Sequence, residues 1–268
     1  MNPYQAFLLG IIQGLTEFIP VSSTAHLLIG QQLLGIPASD TMFSFLVIVQ
    51  LGTLVSLFIF YWRDLMSIAK ATLDFRHSTK ERDLGIYIII ATIPALLAGY
   101  LLKDAVEALF KQPMLEASIR LFTAAFLLSL AEWLSKKNRD LNSMTWLDAL
   151  IVGLMQVIAV FPGASRSGTT IAGGMLRGFD RPSAARFAFL MSAPVMLAAG
   201  LYEMLDVIQM PNLAQFLPLL AVGFVTAAIV GWFAIKWLIN YLSKNSLYVF
   251  AGYCAVVGFI VLIANLFS

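Results

Sequence analysis

The stretch Gln13-Gly14-Leu15-Thr16-Glu17-Phe18-Ile19-Pro20-Val21-Ser22-Ser23-Thr24-Ala25-His26 gathers an amide, a carboxylate, several hydroxyls and an imidazole. Gln13 and Glu17 stand at i and i+4, so a helix puts both on one face, where their oxygens could hold a hard cation. One carboxylate and one amide leave that shell incomplete. Mg2+ takes one or two carboxylates and completes its shell with substrate phosphate and water, so a metal arriving with its phosphate suits this pair. The competing reading pairs Glu17 with Arg166 and lets Gln13 merely pack. Ser22, Ser23 and Thr24 follow a proline, and His26 comes three residues after Ser23, close enough on a helical turn for imidazole and hydroxyl to meet. Such a pair is a nucleophile with its base, since a serine attacks poorly until a neighbour takes its proton. His26 attacking directly is a second option. A third is that the hydroxyls cap a helix N-terminus while His26 bonds locally.

A second stretch, Pro162-Gly163-Ala164-Ser165-Arg166-Ser167-Gly168-Thr169-Thr170, has the composition of an oxyanion cradle. Glycine lets backbone N–H groups approach a ligand, and a helix N-terminus favours negative charge. Ser165, Ser167, Gly168 and Thr170 supply donors, and the Arg166 fork matches phosphate oxygens in two parallel hydrogen bonds. No Gly-Lys-Ser/Thr follows, so this is not a nucleotide-binding P-loop. Gly174 and Gly178 have GxxxG spacing, which serves packing inside one chain as well as a homodimer.

The elements that must hold these residues follow from composition. Of 268 residues, 60% are hydrophobic and 12% charged, about half the roughly 25% charge of a soluble domain. The chain is therefore read as an all-α polytopic membrane protein, in contact with membrane lipids. No basic run interleaved with aromatics recommends a nucleic acid partner. The single cysteine, Cys254, excludes an internal disulfide and a paired-thiol metal site. No Lys or Arg precedes Arg63, so no cleavable signal is expected and Met1 is taken as the mature start. A spanning helix needs about 20 mostly apolar residues, which places six of them near 41–62, 86–102, 116–135, 184–205, 214–239 and 247–267. The region between the first two is a long basic loop that includes Arg76, His77 and Lys80. Residues 4–36 and 146–178 are apolar but broken by the two motifs, and each half is too short to cross. Non-helical backbone survives at membrane depth only where it is buried or lines a wet cavity, so both regions read as re-entrant helix-loop-helix hairpins. Two crossings by each region is the alternative.

Gly14-Leu15-Thr16-Glu17 with Pro20 and Ser23 can be laid over Gly153-Leu154-Met155-Gln156 with Pro162 and Ser165. The chain then forms one membrane domain, 1–268, of two repeats, 1–140 and 141–268. A hairpin plus three spans is an odd number of crossings, so the second repeat is inverted. Most Lys and Arg fall on one side of this topology, with Lys103 and Lys111 on the other. Cytoplasmic loops carry that excess, which puts both termini and the first hairpin outside and brings the two tips together near the midplane. By these spans the embedded ionisable groups are Glu17, His26 and Arg166. Each costs roughly 2.5–3.5 kcal/mol to insert, so their concentration at the tips marks one shared site.

Through Gln13-Gly-Leu-Thr-Glu17-Phe, Pro20-Val-Ser-Ser-Thr-Ala-His26 and Pro162-Gly-Ala-Ser-Arg-Ser-Gly-Thr-Thr170, the chain closely resembles the bacterial undecaprenyl-diphosphate phosphatase family, also called bacitracin resistance proteins. The resemblance implies an inner-membrane hydrolase, open to the periplasm, that removes one phosphate from a C55 polyprenyl diphosphate. It thereby returns the lipid carrier to peptidoglycan synthesis. It implies a divalent cation, Mg2+ first and Ca2+ as alternative, on Glu17 with Gln13. Glu17, Ser23, His26 and Arg166 would be catalytic, and Gln13, Ser22, Thr24, Ser165, Ser167, Gly168 and Thr170 would bind substrate. Some members carry glutamate at the position of Gln13, which weakens a two-carboxylate site here. Whether Ser23 or His26 attacks stays open. A lipid-phosphate transporter or flippase is the alternative, since inverted repeats with broken helices are common among carriers. The type 2 phosphatidic acid phosphatases need a histidine after their second Ser-Arg motif. Both histidines here, His26 and His77, precede Ser165-Arg166, which excludes that superfamily.

Overall fold

A computed structural model describes residues 1–74, 77, 79–102, 112–160, 164–210 and 212–267. Among these the chain forms eleven α-helices: α1 Pro3–Thr16, α2 Ser23–Leu33, α3 Asp40–Phe60, α4 Trp62–Leu73, α5 Lys80–Leu101, α6 Pro113–Leu134, α7 Trp146–Ile158, α8 Arg166–Leu176, α9 Arg181–Val207, α10 Leu213–Leu242 and α11 Tyr248–Leu266. No strand forms among the described residues. Pro162 and Gly163 of the second motif, and Arg76, Lys103 and Lys111 of the charge comparison, lie outside the described residues.

Six helices, α3, α5, α6, α9, α10 and α11, are long and apolar enough to cross a membrane. They correspond to the six expected spans, and local chemistry sets their true ends. Helix α5 begins at Lys80, six residues before the expected start, because the Thr79 hydroxyl accepts the Arg82 amide at 3.2 Å. Glu81 and Asp83 in its first turn suit the positive end of the helix dipole. Helix α6 begins with Pro113, whose fixed φ and missing N–H cost nothing in a first turn. The stretch read as a basic loop after the first span is instead largely the amphipathic helix α4. Its Ile68 is buried, and it packs on α5. An ion pair of 2.7 Å from Arg186 of α9 to Asp64 ties α4 to the bundle.

Four short helices occupy the two broken regions. Helix α1 packs on α10 and α7 on α5; α3 meets α10, and α9 meets α5; α1 leads into and packs on α2, as α7 does on α8. Helices α3 and α9 also pair with each other, as do α6 and α11. Glycines permit the closest of these approaches. A Cβ on Gly14 would stand 2.7 Å from the Val230 Cβ of α10, and one on Gly153 would stand 2.7 Å from the Ala91 Cα of α5. The GxxxG pair is used inside the chain. A Cβ on Gly174 would meet Ala184 at 3.0 Å, while Gly178 takes a left-handed φ of 88° where α8 ends.

Embedded charge is more extensive than the sequence reading allowed. Besides Glu17, His26 and Arg166, the spans themselves bury Glu116 and Arg120 in α6 and Glu203 in α9. Each has a partner, which is what makes such burial tolerable. The Arg120 Nε donates to Glu116 at 2.8 Å, and Ser44 of α3 donates to Glu203 at 2.5 Å.

One end of the bundle collects cations around two carboxylates. Asp148, in the first turn of α7, accepts from Arg139 at 2.7 Å and from Arg177 at 2.7 Å. Glu132, near the end of α6, pairs with Arg181 and Lys137 and accepts the Leu247 amide just before α11. Helix α11 therefore starts at this cationic end and carries the C-terminus away from it. Met1 lies beside Thr41 and Asn212, at the opposite end of α10.

Candidate active site

The ends of α1 and α7 and the starts of α2 and α8 surround one cavity of about 210 Å3. Helix α1 stops at Thr16, and the chain turns through Pro20 into α2, whose N-cap is Ser22. Ser22 sits at a left-handed φ of 69°, a conformation a non-glycine residue adopts rarely, and this presents the next hydroxyl inward. Across the cavity Ser165 caps α8, its hydroxyl accepting the Gly168 amide at 3.2 Å. Such a cap contributes about 1 kcal/mol. Here it also fixes the direction in which the helix start points.

Glu17 is the centre of the arrangement. It is 4% exposed, and both carboxylate oxygens are occupied. Its Oε1 pairs with the Arg166 guanidinium. Its Oε2 accepts from Gln13 Nε2 at 2.6 Å and from the Ser23 hydroxyl at 2.8 Å. The ion pair joins the first motif to the second, 149 residues apart.

Seven of the eleven expected site residues line the cavity: Glu17, Ser22, Ser23, Thr24, Ser165, Arg166 and Ser167. The other four stand behind it. Gln13 is fully buried and supports Glu17. Gly168 lies in the first turn of α8, under the Ser165 cap. The Thr170 hydroxyl donates to the Arg166 carbonyl at 2.8 Å, bracing the backbone that carries the guanidinium. His26 turns away from Ser23, contrary to the expected pair. Its Nδ1 is 2.9 Å from the Ser22 carbonyl and its Nε2 2.8 Å from the Tyr253 hydroxyl of α11, against whose ring it stacks at 5.6 Å. A carbonyl only accepts, so Nδ1 carries the proton and Tyr253 donates to Nε2. The carboxylate, and not the imidazole, is in place to take the Ser23 proton.

Sequence reasoning missed three further polar residues of the cavity wall. Arg120 donates through Nη1 to the Ala164 carbonyl at 2.8 Å and so holds the second tip to α6. The i, i+4 spacing of Glu116 and Arg120 was the available signal. Gln50 of α3 and Gln156 of α7 also line the cavity; of these, Gln156 was visible only as the counterpart of Glu17 in the repeat.

Among the described residues the cavity thus sets two helix N-termini, the guanidinium groups of Arg166 and Arg120, and several hydroxyls against the single carboxylate of Glu17. Helix starts carry partial positive charge and free N–H groups, so the balance favours a polyanion. Among the described residues no group of three or more His, Cys, Asp or Glu could hold a metal.

The family described as "Bacitracin resistance protein BacA" matches residues 6–260. Among curated relatives, the chain is 41% identical to the undecaprenyl-diphosphatase of Halothermothrix orenii, over 98% of each chain. It is 39% identical to that of Alkaliphilus metalliredigens, over 99% of this chain and the whole of the other. The undecaprenyl-diphosphatase of Mycobacterium marinum is 37% identical, over 98% of this chain and 94% of its own.

Proposed function

The chain belongs to the bacitracin resistance protein family, and from that premise we propose that it is a membrane hydrolase converting undecaprenyl diphosphate to undecaprenyl phosphate and inorganic phosphate. In a cell this returns the lipid carrier to peptidoglycan synthesis and raises resistance to bacitracin. The observation that carries the reading is the meeting, in one cavity, of two capped helix starts, Arg166, and a Ser23 hydroxyl already bonded to a carboxylate.

The terminal phosphate would lie between the starts of α2 and α8, with its oxygens on Arg166 and the helix N–H groups. By drawing Arg166 from Glu17, the substrate would free the carboxylate as a base. The Ser23 Oγ then attacks the terminal phosphorus and its proton passes to Glu17 Oε2. The anhydride P–O bond breaks, and the lipid monophosphate leaves with its bridging oxygen, taking up the proton from Glu17 and so returning the carboxylate to its basic form. Water, deprotonated by Glu17, next hydrolyses the phosphoserine, releasing inorganic phosphate and restoring the hydroxyl. Phosphoryl transfer asks mainly for position and charge neutralisation, which these groups supply. His26, held by Ser22 and Tyr253, positions the α2 start.

The proposed divalent cation, Mg2+ or Ca2+, fits as a partner of the substrate. Among the described residues only Glu17 offers a carboxylate to the cavity, Gln13 reaches it through Glu17, and diphosphate oxygens and water would complete the shell. Such a cation would neutralise phosphate charge.

The short helices support a re-entrant reading. At 1.5 Å per residue, 11 to 14 residues span about 17–21 Å, well under a hydrocarbon core of about 30 Å. An inverted repeat of 1–140 and 141–268 within one domain is supported by the paired packing, in which α1 on α10 corresponds to α7 on α5. By the excess of Lys and Arg in cytoplasmic loops, the cationic end would be the cytoplasmic face. Both termini, at the other end, would then be periplasmic, as would the opening of the cavity.

Phosphate release from a polyprenyl diphosphate by the purified chain in detergent, with Mg2+ or with EDTA, tests the function. Metal-dependent release is the expected result; none from folded protein would defeat the reading. A carrier would use Arg166 but would have no need of a serine placed on a carboxylate.

A further inference from the structure

Gln156 is 2% exposed, yet neither its Nε2 nor its Oε1 has a hydrogen-bond partner among the described residues. An amide in that state is unusual, because buried side-chain polar atoms almost always find a partner. Its position explains it. Gln156 lies in the last turn of α7 and lines the same cavity as Glu17, Ser23 and Arg166. It is also the residue that the internal repeat lays over Glu17. The two halves thus present one carboxylate and one amide to a shared space. The amide adds a donor and an acceptor to the wall without adding negative charge, which a second carboxylate would direct at a phosphate.

We propose that Gln156 is a substrate-binding residue of this cavity, its carboxamide donating to a diphosphate oxygen and accepting from the water that hydrolyses the phosphoenzyme. The inference rests on the phosphatase reading and deepens it. The two halves of the duplication then have complementary duties: the first supplies the base and nucleophile, and the second supplies the cation and a neutral clamp. A binding amide left without partners in the free protein is a group held ready for its ligand, so removing it should affect binding and folding in opposite directions.

The variants Gln156→Met, of similar volume and unable to hydrogen-bond, and Gln156→Glu, which restores the charge of the other repeat, separate this role from a structural one. The full chain is purified in detergent. Its kcat and KM are measured on a polyprenyl diphosphate, and its melting temperature with and without inorganic diphosphate. Expected for Gln156→Met are a melting temperature equal to or above wild type, a kcat/KM reduced about tenfold or more, chiefly through KM, and a weaker shift with diphosphate. Gln156→Glu should lose more in KM than Gln156→Met. Turnover of Gln156→Met within twofold of wild type would overturn the proposal, and so would a melting temperature well below wild type, which would mean that the amide serves the fold. Inactive wild type would instead defeat the phosphatase reading. In that case a diphosphate-induced shift lost in Gln156→Met would still support the binding role, and a shift retained in it, or absent from wild type, would overturn it.

Discussion

The Ser23 hydroxyl donates to Glu17 Oε2 at 2.8 Å, across the turn that separates α1 from α2. The opposite oxygen of that carboxylate carries Arg166, at the start of α8. One side chain therefore serves as acceptor for the candidate nucleophile and as counter-ion for the candidate phosphate clamp. Binding of a phosphate at Arg166 is thereby coupled to the basicity felt by Ser23.

Arg166→Ala should reduce phosphate release at least about a thousandfold, because the guanidinium neutralises charge that grows in the transition state. Arg166→Lys keeps the charge but loses the two-pronged geometry, and is expected to retain a few per cent of turnover. Steady-state assays on detergent-purified variants, with folding checked by melting temperature, measure both. Equal activity in Lys and wild type would show that the fork is not used.

Tyr253→Phe removes the donor on His26 Nε2 while keeping the stacked ring. Turnover is expected to fall several-fold with little change in melting temperature, while the 15N shifts of His26 should keep the Nδ1–H tautomer that the Ser22 carbonyl imposes. Unchanged turnover in the variant would mean that Ser22 alone orients the ring.

At the cationic end, burial opposes ionisation of Asp148, but hydrogen bonds from Arg139, Arg177 and Thr145 outweigh it and hold its carboxyl below the usual carboxylate range. Its contribution to stability is present above the unfolded pKa of about 4 and is lost as pH falls below that toward the folded value. Asp148→Asn should lower the melting temperature at pH 7, and the difference from wild type should shrink as pH drops below about 4. A difference independent of pH would remove the charge from the explanation. Activity per folded molecule should be unchanged, since this network stands apart from the cavity.

The six spans were legible because about 20 apolar residues in a row have few other fates, and both motifs stood out as polar breaks in such runs. Helix α4 was hidden by its own chemistry, since twelve amphipathic residues carrying Arg63, Asp64 and Lys70 read like a loop. Glu116, Arg120 and Glu203 were masked by the apolar residues around them, although the i, i+4 spacing of the first two was there to be read. The partner of Ser23 was not legible. Sequence spacing favoured His26 three residues on, and only the turn through Pro20 brings Glu17, six residues back, onto the hydroxyl. Tyr253 and Gln156 reach the site by tertiary packing, for which a single sequence carries little signal.

The most direct measurement compares phosphate release from a polyprenyl diphosphate by wild type, Ser23→Ala, Glu17→Gln and the double variant. Ser23→Ala and Glu17→Gln should each lose at least about a thousandfold, and the double variant should be little worse than either, as for groups acting as one unit. Ser23→Ala turning over within tenfold of wild type, or losses that multiply in the double variant, would contradict a serine nucleophile activated by Glu17.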